Sequence, residues 1–352
     1  MLVNGAKKNC LEIIRQNPTR TGMLWGSPGI GKSAIVSAIA KELGIGFVDV
    51  RLAILNPVDL KGIPFANFET KRADWFTASF LPDAARDGER GILMLDELTS
   101  ASPALQVAAY QLILDRRCGD YVLPPGWSII AAGNKASDRG VTNRMASPLA
   151  NRMMHFEIEP DLEDWKVWAL MNGVHHNVLS FLNFKPSLLF AFPEAAAEIK
   201  AFPTPRTWEF VSDIMNMTNV DRYPLLVATI GEGAAIEFKS FLDVASKLPN
   251  IEQIVSTGDG DIVTTPGLQY AICGAITSNL AAKQKTGKLL IDPTGKGGMD
   301  HIKNTFKYIF KCMPAEIQTM AIMDLAKTPV QPTLATHIEY MDWLVKNMNV
   351  LT

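Results

Sequence analysis

The chain has 352 residues, of which 47% are apolar and 20% charged, and its formal net charge is −2. This length favours two or three domains, and the composition is typical of a packed globular protein. The near-neutral charge excludes a global basic field that would draw the chain to nucleic acid. No apolar run approaches the roughly 20 residues of a membrane span, and Met1–Cys10 lack the apolar core of a secretion signal. We therefore expect a cytoplasmic protein without a membrane segment.

The cysteines and histidines show no metal-binding pattern. The four cysteines are far apart in the sequence and form no C-x-x-C pair, and the five histidines also lack ligand spacing. We expect no zinc site, and reduced core thiols of a cytosolic protein.

The first elements in chain order are a predicted helix at 7–16, a buried strand at 22–26 and a helix at 34–43, with a phosphate-binding loop between the last two. Residues 26–33 read GSPGIGKS and fit G-x-x-x-x-G-K-[ST]. In such a loop the backbone N–H groups point inward, and the helix N-terminus adds partial positive charge. Lys32 is predicted to reach the β- and γ-phosphates, and the Ser33 hydroxyl to bind Mg²⁺. The alternative is a Gly-rich turn with a chance lysine; the strand-loop-helix context disfavours it.

The nucleotide is expected to contact the whole loop and the residue after it. These residues are Gly26, Ser27, Pro28, Gly29, Ile30, Gly31, Lys32, Ser33 and Ala34.

A second strand is predicted at 47–52 and a third at 91–95, and the third ends in two carboxylates, Asp96 and Glu97. Ligands collect at the C-terminal ends of parallel strands. Asp96 is therefore expected to hold the Mg²⁺ shell together with Ser33, and Glu97 to polarise a water towards the γ-phosphate. The alternative is an acidic strand end that faces solvent.

A helix at 103–115 precedes a fourth strand at 127–132, and a fifth strand is predicted at 153–158. Asn134 follows the fourth strand and is expected to orient the attacking water, although a plain turn asparagine is the alternative. Arg152 lies just before the fifth strand and could reach the γ-phosphate of a neighbouring subunit. Arg144 is a second candidate for that role, and a surface salt bridge is the alternative for both arginines.

Strands alternate with helices up to Pro160, which predicts an α/β domain with a five-stranded parallel sheet between helices. Beyond it, helical patterns dominate. We expect a nucleotide-binding core at 1–160, a helical lid at 161–245 and a mainly helical extension at 246–352. Trp165 and Trp168 are three residues apart and are predicted to form a core stripe.

The order of these motifs resembles that of a P-loop AAA+ ATPase, and the details resemble the MoxR family. The resemblance covers residues 1 to about 245 and fades beyond them. It is carried by the phosphate loop, by the strand before Asp96 and Glu97, and by three segments whose sequences are similar to those of the family: 57–62 (PVDLKG), 143–153 (NRMASPLANRM) and 202–208 (FPTPRTW). The family more usually has Asp before the finger arginine, where this chain has Asn151, so the choice between Arg144 and Arg152 stays open.

The resemblance implies a homo-oligomeric ring, usually a hexamer, with ATP between subunits. It implies that Arg152 is the arginine finger that acts in trans, Asn134 is sensor 1, and Arg206 is sensor 2, which reaches from the lid to the γ-phosphate of its own subunit. ATP or ADP and Mg²⁺ are the implied cofactors. A protein partner, first of all one with a von Willebrand A domain, would be remodelled in a chaperone-like way.

Two other functions stay open. A nucleic-acid motor or loader could use the same ATPase core, with Lys71, Arg72, Trp75 and Phe76 contacting a strand. That alternative is not favoured, because two charges are too few for a binding stripe. A nucleotide-dependent scaffold that hydrolyses slowly is the third hypothesis, and the intact Glu97, Asn134 and Arg152 argue against it.

Overall fold

The structure is a computed structural model. It describes residues 1–16, 18–135, 143, 145–192, 200–292 and 298–347. The chain forms two compact units, Met1–Pro160 and Asp161–Thr352. The proposed division of the second unit at residue 245 stays a prediction.

The first unit is an α/β domain. Its helices are α1 (Val3–Gln16), α2 (Lys32–Leu43), α3 (Pro57–Lys61), α4 (Ala84–Asp87), α5 (Pro103–Asp115) and α6 (Ser147–Ala150), with a 3₁₀ turn at Leu52–Ile54. Its strands are β1 (Thr21–Trp25), β2 (Gly46–Arg51), β3 (Ile63–Asn67), β4 (Arg72–Phe76), β5 (Arg90–Asp96), β6 (Arg117–Cys118), β7 (Tyr121–Val122), β8 (Gly126–Gly133) and β9 (Met153–Glu157).

Five of these strands form a parallel sheet in the order β2-β5-β8-β1-β9. The central strands β5 and β8 are apolar along most of their length and buried on both faces, as strands covered by helices on both sides must be. The predicted fold class, a P-loop AAA+ core followed by helices, is confirmed. The sheet order brings the ends of β1, β5 and β8 close together at one edge.

Glycines on two strands make room for one large side chain in this sheet. Trp127 on β8 is fully buried, and its Nε1 donates to the Gly88 carbonyl oxygen at 2.9 Å. A Cβ at Gly91 would lie 2.6 Å from the Trp127 ring, and one at Gly46 would lie 3.0 Å from it. The ring therefore packs directly on bare backbone of β2 and β5.

An antiparallel hairpin of β3 and β4 occupies the segment after α3. No strand is predicted from the sequence between 53 and 90. Phe65 and Phe76 lie close together, with ring centroids 5.5 Å apart. Both rings are mostly exposed, as is Phe68 near the turn. The hairpin thus adds an apolar, solvent-facing ribbon to the first unit.

The second unit is helical in every regular element that the structure describes. Its helices are α7 (Leu162–Met171), α8 (His176–Phe184), α9 (Pro205–Asn216), α10 (Arg222–Ile230), α11 (Glu232–Ala245), α12 (Ile251–Thr257), α13 (Pro266–Lys285), α14 (His301–Cys312), α15 (Ala315–Ala326), α16 (Gln331–Leu334) and α17 (Ile338–Lys346), with a 3₁₀ turn at Pro186–Leu189.

Two hydrophobic clusters hold these helices together. One is built around Phe181, Trp208 and Phe238, whose rings meet edge to face or tilted at 5.1–5.6 Å. The other contains Phe306 and Ile309 of α14. Helix α13 contributes to both clusters, with Ala271 in the first and its neighbour Ile272 in the second.

The predicted core stripe of Trp165 and Trp168 is wrong for Trp168, which is 37% exposed. A residue between them, Lys166, is only 1% exposed in its side chain. Its ammonium lies 2.5 Å from Asp324 and 2.9 Å from Glu163, carboxylate oxygens in both cases. Paired carboxylates let the helix turn a lysine inward, because a buried charge is tolerated when it is paired.

Candidate nucleotide site

The phosphate loop leaves β1 at Gly26 and ends where α2 begins. Gly31 is the N-cap of α2 with φ of +92°, and Gly29 has φ of +81°. Both lie in the left-handed region, which glycine enters without the steric cost that other residues meet. These two glycines turn the chain so that α2 presents its N-terminal end at the carboxyl edge of the sheet, a position that favours anions.

Gly26 has a packing reason as well. A Cβ at this position would lie 2.3 Å from Ile30 Cδ1 and 3.0 Å from the Ile158 carbonyl oxygen. The Gly26 N–H also donates to the Gly133 carbonyl oxygen at 3.3 Å. The first residue of the loop is therefore wedged between the loop's own Ile30 and the ends of β8 and β9.

Lys32 is the central cation of the site, and only 8% of the residue is exposed. Its Nζ donates to the carbonyl oxygens of Gly26 at 2.5 Å and Ser27 at 3.1 Å. It also donates to Asn134 Oδ1 at 2.9 Å. The structure thus brings together Lys32 and Asn134, which are 102 positions apart in the sequence.

Ser33 and Asp96 meet as well. The Ser33 hydroxyl donates to Asp96 Oδ2 at 2.8 Å. A hydroxyl and a carboxylate are hard oxygen donors of the kind that Mg²⁺ selects, so this pair fits the ion that the phosphate loop implies. Asp96 Oδ1 accepts from the Glu97 N–H at 2.8 Å, which fixes the carboxylate at the strand end.

Glu97 itself has φ of +57°, a left-handed conformation that is unusual for a residue with a side chain. The turn that follows is tied in place, because the Glu97 carbonyl oxygen accepts from the N–H groups of Ser100 and Ala101. The next residue, Leu98, donates to the Ala132 carbonyl oxygen at 2.9 Å. Such backbone strain costs of order 1–3 kcal/mol and gathers at functional sites.

A third carboxylate faces this region from the edge strand β2. Asp49 pairs in register with Met94, and Arg51 pairs with Asp96, so all four side chains point to one face of the sheet. The pKa of Asp49 is raised, chiefly by burial and then by the negative charge of Asp96. The negative charge at the end of β5 therefore raises the pKa of a carboxyl on the neighbouring strand.

Arg152 lies at the rim of the first unit, two residues after α6. Its guanidinium carbon is 5.6 Å from the centroid of the Tyr110 ring, within cation–π range. The residue is exposed. Arg144, the other candidate finger, lies outside the described residues.

Arg206 belongs to the second unit, in the first turn of α9, and is exposed. The helix begins with a reciprocal cap in which Thr204 and Thr207 each bond the backbone of the other. This cap fixes the start of the helix and the direction in which Arg206 leaves it.

Sequence reasoning missed a linkage beside the loop. Trp25, the last residue of β1, donates from Nε1 to His155 Nδ1 at 2.7 Å. His155 Nε2 lies 2.8 Å from the Ala150 carbonyl oxygen, at the end of α6. Because Nδ1 accepts, the ring proton lies on Nε2 and is donated to Ala150. Nothing local in the sequence signals this linkage, since it depends on β1 and β9 being neighbours.

Comparison with known proteins supports the class of this domain. Residues 22–113, about a quarter of the chain, match the model of the family described as ATPase family associated with various cellular activities (AAA). That stretch contains the phosphate loop, Asp96 and Glu97. The first unit therefore has a P-loop AAA+ fold, and residues 22–113 within it match the AAA family.

Solved structures of low identity resemble the chain only distantly. A "putative ATPase" of Cytophaga hutchinsonii is 12% identical, with 92% of this chain and 81% of that one covered and a TM-score of 0.35. RuvB of Thermotoga maritima, described as a Holliday junction branch migration motor, is 16% identical, with 83% and 89% covered and a TM-score of 0.37. A point mutant of the same RuvB gives 16% identity and a TM-score of 0.39 over the same shares. Similarity at this level says nothing about partners.

No helix among the described residues has the length and apolar character needed to cross a membrane.

The carboxyl edge of the sheet combines a helix N-terminus, a buried ammonium, a hydroxyl–carboxylate pair, a second carboxylate and an amide. This set of groups is suited to binding a polyphosphate and activating a water beside it.

Proposed function

We propose that this chain binds ATP with Mg²⁺ at the carboxyl edge of the sheet and hydrolyses it to ADP and phosphate. The observation that carries the proposal is the meeting of four side chains from three separate segments: Lys32 with Asn134 at 2.9 Å and Ser33 with Asp96 at 2.8 Å. The AAA family match over residues 22–113 supports the same activity.

Each residue has a role that its position supports. The N–H groups of the loop and of the first turn of α2 bind the phosphate oxygens, and Lys32 exchanges its carbonyl and amide acceptors for the β- and γ-phosphates. Ser33 and Asp96 would hold Mg²⁺, which neutralises charge on the phosphates. Glu97 accepts the proton of the attacking water and Asn134 orients that water.

We further propose that the protein works as a ring, most simply a hexamer, in the manner of the MoxR family. Arg152 would act on the ATP of a neighbouring subunit, and its exposed position at the rim of the first unit supports this role. Arg206 would act as the sensor on the lid. Loss of the γ-phosphate would release both contacts and let the proposed lid and core rotate, which would remodel a protein partner such as one with a von Willebrand A domain.

The decisive test measures ATP binding and turnover separately. Glu97→Gln should bind ATP with wild-type affinity by calorimetry but lower the turnover number by at least about 100-fold, because the base that activates the water is lost. Lys32→Ala should abolish the binding heat itself. If Glu97→Gln hydrolysed ATP at the wild-type rate, Glu97 would not be the base.

One observation favours a second function, a nucleic-acid motor. The β3–β4 hairpin presents the exposed rings of Phe65, Phe68 and Phe76, and the exposed cations Lys71 and Arg72 lie at its turn. Exposed aromatic rings beside cations can stack bases and contact phosphates. ATPase stimulation by single-stranded DNA that falls steeply with salt would support this function. Stimulation by a protein partner alone would support remodelling.

A further inference from the structure

Thr99 lies at the junction of the carboxylate turn and the strand that leads to Asn134. It follows Glu97 by two residues and is 2% exposed. Its hydroxyl oxygen accepts from the Asn134 N–H at 3.1 Å. Its carbonyl oxygen accepts from the Asn143 N–H at 2.6 Å. One buried residue therefore joins the turn after β5 to the end of β8 and to the segment that leads towards Arg152.

The close approach of Thr99 to β8 depends on a glycine. A Cβ at Gly133 would lie 2.7 Å from Thr99 Cγ2, 2.8 Å from Thr99 Oγ1 and 2.7 Å from Met23 Cε. Bare backbone at this strand position lets the threonine side chain press against the residue before Asn134. The close contact thus requires both Gly133 on the strand, which has no side chain, and Thr99 on the turn.

The residue that this contact holds is the one that meets the loop lysine. Asn134 Oδ1 accepts from Lys32 Nζ at 2.9 Å, so a chain of contacts runs from the Thr99 hydroxyl through the Asn134 backbone and side chain to Lys32. The same turn begins at Glu97, whose left-handed backbone is tied to Ser100 and Ala101.

We propose that Thr99 is a positioning residue. It holds the Asn134 backbone so that the Asn134 amide faces Lys32 and the γ-phosphate, and it keeps Glu97, at the start of the same turn, in a fixed position relative to that amide. This inference rests on the proposed ATPase function. Thr99 does not touch the nucleotide; it acts through Asn134. We expect its role to be in turnover, because its hydroxyl bonds the backbone of Asn134, the residue proposed to orient the water, and not the phosphate loop.

The test compares Thr99→Val, which keeps the shape but removes the acceptor, with Thr99→Ser, which keeps the hydroxyl. In Thr99→Val we expect kcat and kcat/KM to fall together by about tenfold, roughly what loss of one buried hydrogen bond costs, while the affinity for ADP changes by less than about twofold. Thr99→Ser should recover most of the rate. Thr319→Val, which removes a hydroxyl of α15 in the second unit that bonds the Ala315 carbonyl oxygen, controls for the substitution type.

A double-mutant cycle decides whether Thr99 acts through Asn134. In an Asn134→Ala background the Thr99→Val change should cost less than about twofold, because the positioned amide is already gone. Additive effects of the two changes would overturn the inference, as would equal rates for Thr99→Val, Thr99→Ser and wild type. If wild-type protein showed no ATPase activity but bound ATP, the proposed function would fail instead, so the two failures are distinguishable.

Discussion

Each of the two units buries a lysine, but the described acceptors of the two ammonium groups differ in charge. In the first unit, Lys32 is held by the carbonyl oxygens of Gly26 and Ser27 and by the amide of Asn134. In the second, Lys166 is held by the carboxylates of Glu163 and Asp324. Dipolar acceptors orient an ammonium without adding the full negative charge that a carboxylate brings, so an incoming phosphate can replace them. Carboxylates neutralise the ammonium and make it part of the packing.

We infer from this comparison that Lys32 is available to a ligand, whereas Lys166 serves the fold. The second unit supports this interpretation in its neighbouring contacts. Asn183 donates to Asp324 Oδ2 at 2.9 Å, and Lys327 pairs with Glu163. Burial raises the pKa of Asp324, and Lys166 acts against that rise. The result is a network of charged groups that hold one another inside the helical unit.

Lys166→Ala should give the largest effect on stability. Removing one partner of a buried ion pair leaves the other charge uncompensated, which costs about 3–5 kcal/mol. Urea unfolding followed by circular dichroism would measure the loss. A Lys166→Met, Asp324→Leu double variant, which removes both charges, should recover most of it. If Lys166→Ala were as stable as wild type, the ion pair would not hold the unit together.

His176 should make the stability of the second unit depend on pH. Burial, with a smaller contribution from the neighbouring His175, lowers the pKa of His176 to about 4, and its Nδ1 has no partner among the described residues. The unfolded chain takes up a proton near the ordinary histidine pKa of about 6.5, whereas the folded unit does so only near 4. Stability is then fully present above pH 6.5 and is lost as the pH falls towards 4, by up to about 3 kcal/mol.

Unfolding free energies of wild type and His176→Phe, measured from pH 4 to pH 8, would test this effect. The variant should show a flatter profile over the acid half of that range. Parallel profiles would show that His176 takes up its proton at the same pH in the folded and the unfolded chain, so that burial does not lower its pKa.

Lys32→Ala should have the smallest effect on stability although it abolishes nucleotide binding. The acceptors that the structure describes for its Nζ are neutral oxygens at the edge of the sheet, where water can replace the ammonium, so the expected loss is below about 1 kcal/mol. Thermal unfolding without nucleotide would measure it. Addition of ATP and Mg²⁺ should then raise the midpoint of wild type but not of the variant. A large loss without nucleotide would mean that Lys32 serves the fold as Lys166 does.

The site was predictable as far as it depends on local order. The phosphate loop is contiguous, and the acidic pair follows an apolar run, so strand periodicity and the rule that ligands gather at strand ends place both at one edge. The structure describes Asn134 at the same edge, beside Lys32. The roles of these residues stay predictions. Thr99 and the Trp25–His155 linkage could not be found in this way, because they depend on which strands become neighbours.

Other misses have the same cause. The periodicity of α7 placed Trp165 and Trp168 on one face, but the inward side chain is Lys166, because Asp324 from a distant helix is there to pair with it. The hairpin of β3 and β4 is mostly exposed, so it lacks the alternation of apolar and polar residues by which half-buried strands are recognised.

By itself, the sequence determined a nucleotide-binding α/β core followed by helices, since loop chemistry and hydrophobic period are written in neighbouring residues. The tertiary structure alone decided which polar groups meet: Lys32 with Asn134, Ser33 with Asp96, Lys166 with Asp324. These pairs depend on the strand order and on helix packing. Both arise from burial of apolar surface across the whole unit, and a local pattern cannot specify them.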